Sequence, residues 1–400
     1  MTTFNRHFAH WPPGVPHTLD VPRTSVYSNL AAQDPDRVAI DYYGTRITYA
    51  ELKREADALA GFLQHRCGVS KGDRVLLYVQ NSPQYVIAYF AILRADAVVV
   101  PVNTMNRTEE VRHYIEDAQA SVAIVGQELY ERIAPLGVPH VIVATYSDFL
   151  RTKTDLPIPD FIRAPHAAMG GIAWRDVMAA GLKPGEHRAG PDDLAVMPYT
   201  SGTTGKPKGC MHTHASVQST TVPYLYWRGA SEDSIVLSAL PMFHVTGMQA
   251  GMNAPLYRGA TIVVLSRWDR DCAAMQIERA KVTTWSAITT MLVDFLANPR
   301  LGEYDLSSLK ILGGGGAAMP EAFATKLKEV FGLDYVEGYG LSETMAPPHI
   351  NPPHRPKKQC GGIPIFNTDA RILDVETNAE LGVGKVGEIV VHGPQVFKGY

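Results

Sequence analysis

"RVLLYVQNSPQYVIAYFAILRADAVVVPV", residues 74–102, holds two apolar runs separated by a helix-length segment. "RVLLYV" is continuously apolar rather than alternating, which predicts a strand buried on both faces. Ser82 and Pro83 then supply an N-cap and a first-turn proline for the helix "QYVIAYFAILRA". "AVVVPV" follows as a second buried strand. Strand, helix, strand with apolar strands throughout is the repeating unit of a parallel, doubly wound sheet.

The unit extends in both directions. Upstream, Thr48 and Glu51 have capping-box spacing, and Leu52, Ala56, Leu59 and Leu63 keep helical period until Gly68 stops the run. Downstream, a helix is predicted to open near Thr108, and "SVAIV" reads as another strand. Residues 150–191 are proline-rich and predict a connection. Alternation returns with the strands "LAVMPYT", "SIVLSAL", "TIVVLS", "VTTWSAI" and "LKILGGG", a second α/β layer of similar build. After about Pro347 the pattern becomes short strands and turns, as in "DARILDVETNAELGVGKVGEIVVHG". The expected fold is therefore α/β: two doubly wound subdomains over residues 1–190 and 191–346, then a small, β-barrel-like subdomain over 347–400.

Composition narrows the function. With 400 residues, 46% of them hydrophobic, the chain can bury a large core. A formal net charge of -3, without long single-sign blocks, provides no footprint for nucleic acid or an anionic membrane. The most apolar run, residues 86–102, is broken by Arg94 and Asp96, so no membrane span is expected. Cys67, Cys210, Cys272 and Cys360 lie far apart in neither a CxxC nor a zinc pattern, which fits reduced thiols in the cytoplasm. Small soluble ligands are the expected partners; monomer and homodimer both stay open.

The stretch with chemistry is "YTSGTTGKPKG", Tyr199–Gly209, which follows the strand "LAVM". Glycines let backbone N–H groups face a ligand, hydroxyls add donors and lysines add charge, together a cradle for polyphosphate at a strand's carboxyl end. Taken alone, Ser/Thr/Gly runs are more often polar surface turns. Walker A spacing is absent, because Thr200 and Pro207 stand where that motif needs glycine and Ser or Thr.

This loop resembles, nearly letter for letter, the signature of the acyl-adenylate-forming superfamily of acyl-CoA ligases, luciferases and peptide-synthetase adenylation domains. Three further stretches are similar to that family in the right order: "PMFHVTGM" (241–248), "GGGGAAMP" (313–320) and "EGYGLSET" (337–344). The resemblance runs from about Thr24 to Tyr400 and implies a large N-terminal domain. The reaction it implies joins a carboxylate to the α-phosphorus of ATP, releases pyrophosphate, and passes the acyl group to CoA. By resemblance Thr200, Ser201, Gly202, Thr203, Thr204, Gly205 and Lys208 hold phosphate, and Glu343 ligates Mg²⁺, a hard ion that takes carboxylate oxygen. Gly315, Gly316, Ala317, Glu337, Gly338, Tyr339 and Gly340 are implied to surround adenine, with Ser342 in place of the usual threonine. His244, Val245, Met248 and Gly314 are implied for the acyl pocket, and His244 argues against an amino acid substrate because peptide synthetases place aspartate there. Arg267, in "SRWDR", is the candidate for the CoA nucleotide; read without the resemblance it belongs to an ordinary charged turn. Thr200, Lys208, His244 and Glu343 are the expected catalytic set.

His244 read alone is a packed core histidine, and the His212/His214 pair lacks a third ligand for a metal. The family's ribose-binding TGD-like aspartate and its small C-terminal domain with the catalytic lysine are not found before Tyr400, so a poorly active chain is expected. A rival reading comes from Gly313, Gly315 and Ala318, which fit GxGxxA after a strand, with Asp334 placed for the ribose of NAD. A non-catalytic ATP-binding module is the third. The resulting expectation is a ligase for a fatty or other apolar carboxylic acid.

Overall fold

The computed structural model describes residues 3–200 and 205–400. Two large sheets dominate. The first has seven strands in the order Ile172–Ala173, His140–Ala144, Val122–Gly126, Arg74–Tyr78, Val98–Pro101, Leu194–Val196 and His212–Thr213, parallel except for the last. The second has nine: Ile363–Pro364, Ala346–Ile350, Tyr335–Leu341, Ile311–Gly315, Thr284–Ser286, Ile235–Ser238, Thr261–Val264, Val38–Tyr42 and Thr45–Thr48. Its centre is parallel and its two ends are antiparallel.

The local readings have physical counterparts. Thr48 caps the helix Tyr49–His65 by accepting from the Glu51 N–H, and Ser82 caps Pro83–Arg94 by accepting from that of Tyr85. All of Pro83–Arg94 except Arg94 is buried, as befits a helix whose only strongly polar side chains are Gln84 and Arg94. It lies between the sheets, where the Tyr85 hydroxyl donates to the Met242 carbonyl at 2.8 Å and Asn253 Nδ2 donates to the Tyr89 hydroxyl at 3.0 Å. One continuous apolar cluster joins residues of both sheets around it.

The sheets exchange strands across residue 190. Leu194–Val196 pairs with Val98–Pro101 in the first sheet, whereas Val38–Tyr42 pairs with Thr261–Val264 in the second. The proline-rich segment 150–191 contributes the helices Asp160–Arg163 and Trp174–Ala179 and the edge strand Ile172–Ala173. Residues 347–400 divide as well. Most of Ala346–Ile350, with Ile363–Pro364, extends the nine-stranded sheet, and Asp369–Leu373 pairs with Glu388–His392 in a separate, small antiparallel sheet. Among the described residues, no helix is long and apolar enough to cross a membrane.

Candidate active site

A cleft of about 500 Å³ opens at the carboxyl ends of the parallel strands in the nine-stranded sheet. The loop after Leu194–Val196 forms one side. Its neck closes like a hairpin: Tyr199 bridges Gly209, and the Thr200 N–H donates to the Lys208 carbonyl at 3.0 Å. Tyr199 stacks on Tyr114 at 4.1 Å and donates to Asp117 Oδ2 at 2.5 Å, which anchors the neck to the first sheet's helix Thr108–Ala118. Thr200, Gly205, Lys206 and Lys208 line the cleft. Ser201, Gly202, Thr203 and Thr204 lie outside the described residues.

Facing the loop is the turn Ser342–Thr344. Glu343 Oε1 accepts from the Tyr400 hydroxyl at 2.7 Å, and the Lys208 ammonium sits over the Tyr400 ring, 4.9 Å from its centroid. Loop cations and the Glu343 carboxylate therefore share one space. His212 Nε2 lies 2.8 Å from the Ser342 carbonyl and fixes the turn from behind; burial pushes the His212 pKa down to about 4. His214 points elsewhere, its Nδ1 accepting from the Val26 N–H at 3.0 Å, so the two histidines do not converge. Among the described residues, no group of three metal-ligating side chains forms.

His244 caps the short helix Val245–Met248, its Nδ1 accepting from the Thr246 N–H at 3.3 Å. The ring opens into the cleft, yet the surrounding walls desolvate it enough to lower its pKa. With Nδ1 occupied as an acceptor, a neutral ring presents Nε2–H as its free donor. A π-helical turn, Gln249–Asn253, follows and brings Ala250 to the wall beside Val245. Met248 is fully buried and does not line the cleft.

The glycine run supplies the floor. Gly314, Gly315 and Gly316 all face the cleft. A Cβ on Gly314 would collide with the Ala287 carbonyl oxygen, and Gly316 has φ +91, which disfavours any side chain. Gly338, Gly340 and Ser342 complete this side, whereas Tyr339 between them packs edge-on against His349 at 5.7 Å. Ala317 is exposed outside the lining. Glu337 is buried, accepts from the Gln359 N–H at 3.1 Å, and has its pKa raised by desolvation. Arg267 is away from the cleft, with its guanidinium 5.2 Å from the Phe161 ring centroid.

The dinucleotide reading loses its geometry. Gly313 and Gly315 sit inside the strand Ile311–Gly315, paired with Val336 and Gly338, rather than in a strand-to-helix turn. Asp334 is tied to Lys328 at 2.7 Å.

The AMP-binding enzyme family matches residues 28–400, a span that contains both the loop and the cleft. The chain belongs to this family. Among AMP-binding enzymes it is 34% identical over 419 residues to a long-chain-fatty-acid–CoA ligase of Bacillus subtilis, covering 98% of this chain and 73% of that protein. It is 32% identical to a feruloyl-CoA synthase of an Amycolatopsis species, covering 92% of this chain and 70% of the relative. The fold is similar to the crystal structure of a long-chain-fatty-acid-CoA ligase from Archaeoglobus fulgidus, with TM-score 0.84 and 27% identity over 98% of this chain and 78% of that one. ATP-bound MatB from Rhodopseudomonas palustris gives TM-score 0.82 at 27% identity, covering 95% and 72%.

Sequence reasoning missed several lining residues of this AMP-binding enzyme: Lys206, Tyr224, Arg228, Ser286 and Tyr400. Tyr224 and Arg228 are four residues apart on the helix His214–Arg228, a spacing that places them on one face. An arginine on a helix otherwise built for burial was the available signal.

Proposed function

We propose that this chain, an ATP-dependent acid–thiol ligase of the AMP-binding family, activates an organic acid whose carbon body lies against Val245, Ala250 and Ile350. The carboxylate oxygen attacks the α-phosphorus, the bond to pyrophosphate breaks, and the acyl-adenylate then yields its acyl group to the thiol of CoA with release of AMP. The observation that carries this reading is the single cleft shared by Thr200, Lys206, Lys208, His244 and Glu343. Two anions must approach one another there. Loop lysines and N–H donors offset the repulsion while charge moves onto the leaving pyrophosphate. His244, whose pKa desolvation lowers, holds the incoming carboxylate through Nε2–H.

Glu343 fits Mg²⁺, since it is the carboxylate that faces the cleft among the described lining residues. When bound, that ion would polarise phosphate oxygens. Tyr400 holds the carboxylate in place by its hydroxyl. Gly315, Gly316, Gly338 and Gly340 provide flat backbone for adenine, with Ala317, Glu337 and Tyr339 behind it, and Arg267 is the proposed contact for the CoA nucleotide. All four cysteines are free, which supports a reducing, cytoplasmic setting.

The test is a thermal-shift series with pyrophosphate detection. ATP with Mg²⁺ should raise the midpoint while NAD leaves it unchanged, and pyrophosphate should appear only when a carboxylic acid is added. Stabilisation by NAD and not by ATP would overturn the proposal.

A further inference from the structure

Arg228 ends the helix His214–Arg228 and lines the cleft while only 7% exposed. Its Nη2 donates to the Val336 carbonyl at 3.3 Å, but Nε and Nη1 have no hydrogen-bond partner. Among the described residues, no carboxylate lies within ion-pair distance of it. The fold makes room for this group. A Cβ on Gly313 would come within 2.5 Å of Nη1 and 2.6 Å of Nη2. Tyr224 supports the guanidinium with its ring, 5.2 Å away at the centroid, and its hydroxyl is 2.8 Å from Ser286 Oγ; both residues also face the cleft.

A guanidinium removed from water and left without a counter-charge is costly, and an apolar side chain of similar volume would be the cheaper wall. Its unspent donors fit the planar, bidentate pattern that carboxylates accept. The nucleotide's phosphates are a poor match for it. They belong with Lys206 and Lys208, in the loop that leads into the start of this helix, whereas Arg228 stands at the helix's other end, ~20 Å along its axis.

We infer that Arg228, with Tyr224 and Ser286, receives a second anionic group at the far end of the substrate, so that the acid activated here is a dicarboxylic acid coupled at one end only. This rests on the ligase reading and refines its substrate class: an apolar body against Val245, Ala250 and Ile350, capped by a charge.

Stable mimics of the adenylate test it on the chain as it is. Sulfamoyl adenosines are prepared in matched pairs, succinyl with butanoyl, adipoyl with hexanoyl, and suberoyl with octanoyl, and binding is measured by titration calorimetry beside AMP. In at least one pair the ω-carboxyl member should bind about ten- to hundredfold tighter, the worth of a charge-assisted, desolvated pair. Arg228→Gln should erase that preference with AMP affinity kept, and Arg228→Lys should restore part of it. Methyl-ended members binding as well or better in every pair overturns the inference, as does a preference that survives Arg228→Gln. Failure to bind both AMP and every mimic sinks the ligase reading itself, a different result.

Discussion

Lowering the pH from 7 to 5 should destabilise the fold through His212, and the amount can be worked out. The ring is fully buried, with Nδ1 3.2 Å from Ser216 Oγ and Nε2 2.8 Å from the Ser342 carbonyl, and burial holds its pKa at about 4 against the ordinary 6.5. Below 6.5 the unfolded chain takes up a proton that the folded chain refuses, so acid favours unfolding. The contribution is complete above about 6.5, falls as pH drops from there, and is flat again below about 4, where both states are protonated. Between pH 7 and 5 the loss from this one residue is about 2 kcal/mol. Urea unfolding of the wild type and of His212→Gln at both pH values measures it. The variant starts lower at pH 7, because a buried hydrogen-bonded group has been replaced, but its further loss on going to pH 5 should be smaller by that ~2 kcal/mol. Parallel losses in the two proteins would refute the argument, for they would mean that the buried ring titrates as it does in the unfolded chain. Buried carboxyls with raised pKa values, among them Glu128 and Glu337, act in the opposite sense but are common to both proteins and cancel in the difference.

Three further outcomes are expected. Lys208→Met should weaken ATP binding by about tenfold in a fluorescent-nucleotide titration, because one charge-assisted phosphate contact is lost, and unchanged affinity would remove the lysine from the phosphate site. Gly314→Ala should cost roughly 1–3 kcal/mol in denaturant unfolding and reduce adenylate binding, since the new methyl meets the Ala287 carbonyl, a backbone atom that cannot swing aside. Tyr400→Phe should leave the unfolding midpoint nearly unchanged, because its bond to Glu343 is exposed, while raising the Mg²⁺ concentration needed for half-maximal ATP binding; an unaltered Mg²⁺ dependence would mean that this hydroxyl does not position Glu343.

Much of the fold was legible because local signals and tertiary structure agree. Ser82 and Thr48 cap the helices their spacing predicted, and the apolar runs at Arg74–Tyr78, Val98–Pro101 and Val122–Gly126 are adjacent parallel strands. Which sheet a strand joins was not legible. Leu194–Val196 and Val38–Tyr42 are both short, mostly apolar strands, and nothing local distinguishes a partner 97 residues back, Val99 for Val196, from one more than 200 residues ahead, Ile262 for Ile40. In the cleft, the loop, His244, Val245 and the glycine run came from contiguous motifs. Arg228 and Ser286 are brought in by helix and sheet packing from positions without any motif, and Tyr339 turns out of the cleft because alternate residues of its strand face opposite ways.

The exchange of strands has a consequence for biosynthesis. When Val38–Tyr42 leaves the ribosome, its neighbour Thr261–Val264 has not been made, and at a typical elongation rate the wait is tens of seconds. Throughout that interval the strand edge that Thr261–Val264 will cover, and the face of Pro83–Arg94 that meets Met242 and Asn253, stay open, so the nascent chain exposes apolar surface that the finished fold does not.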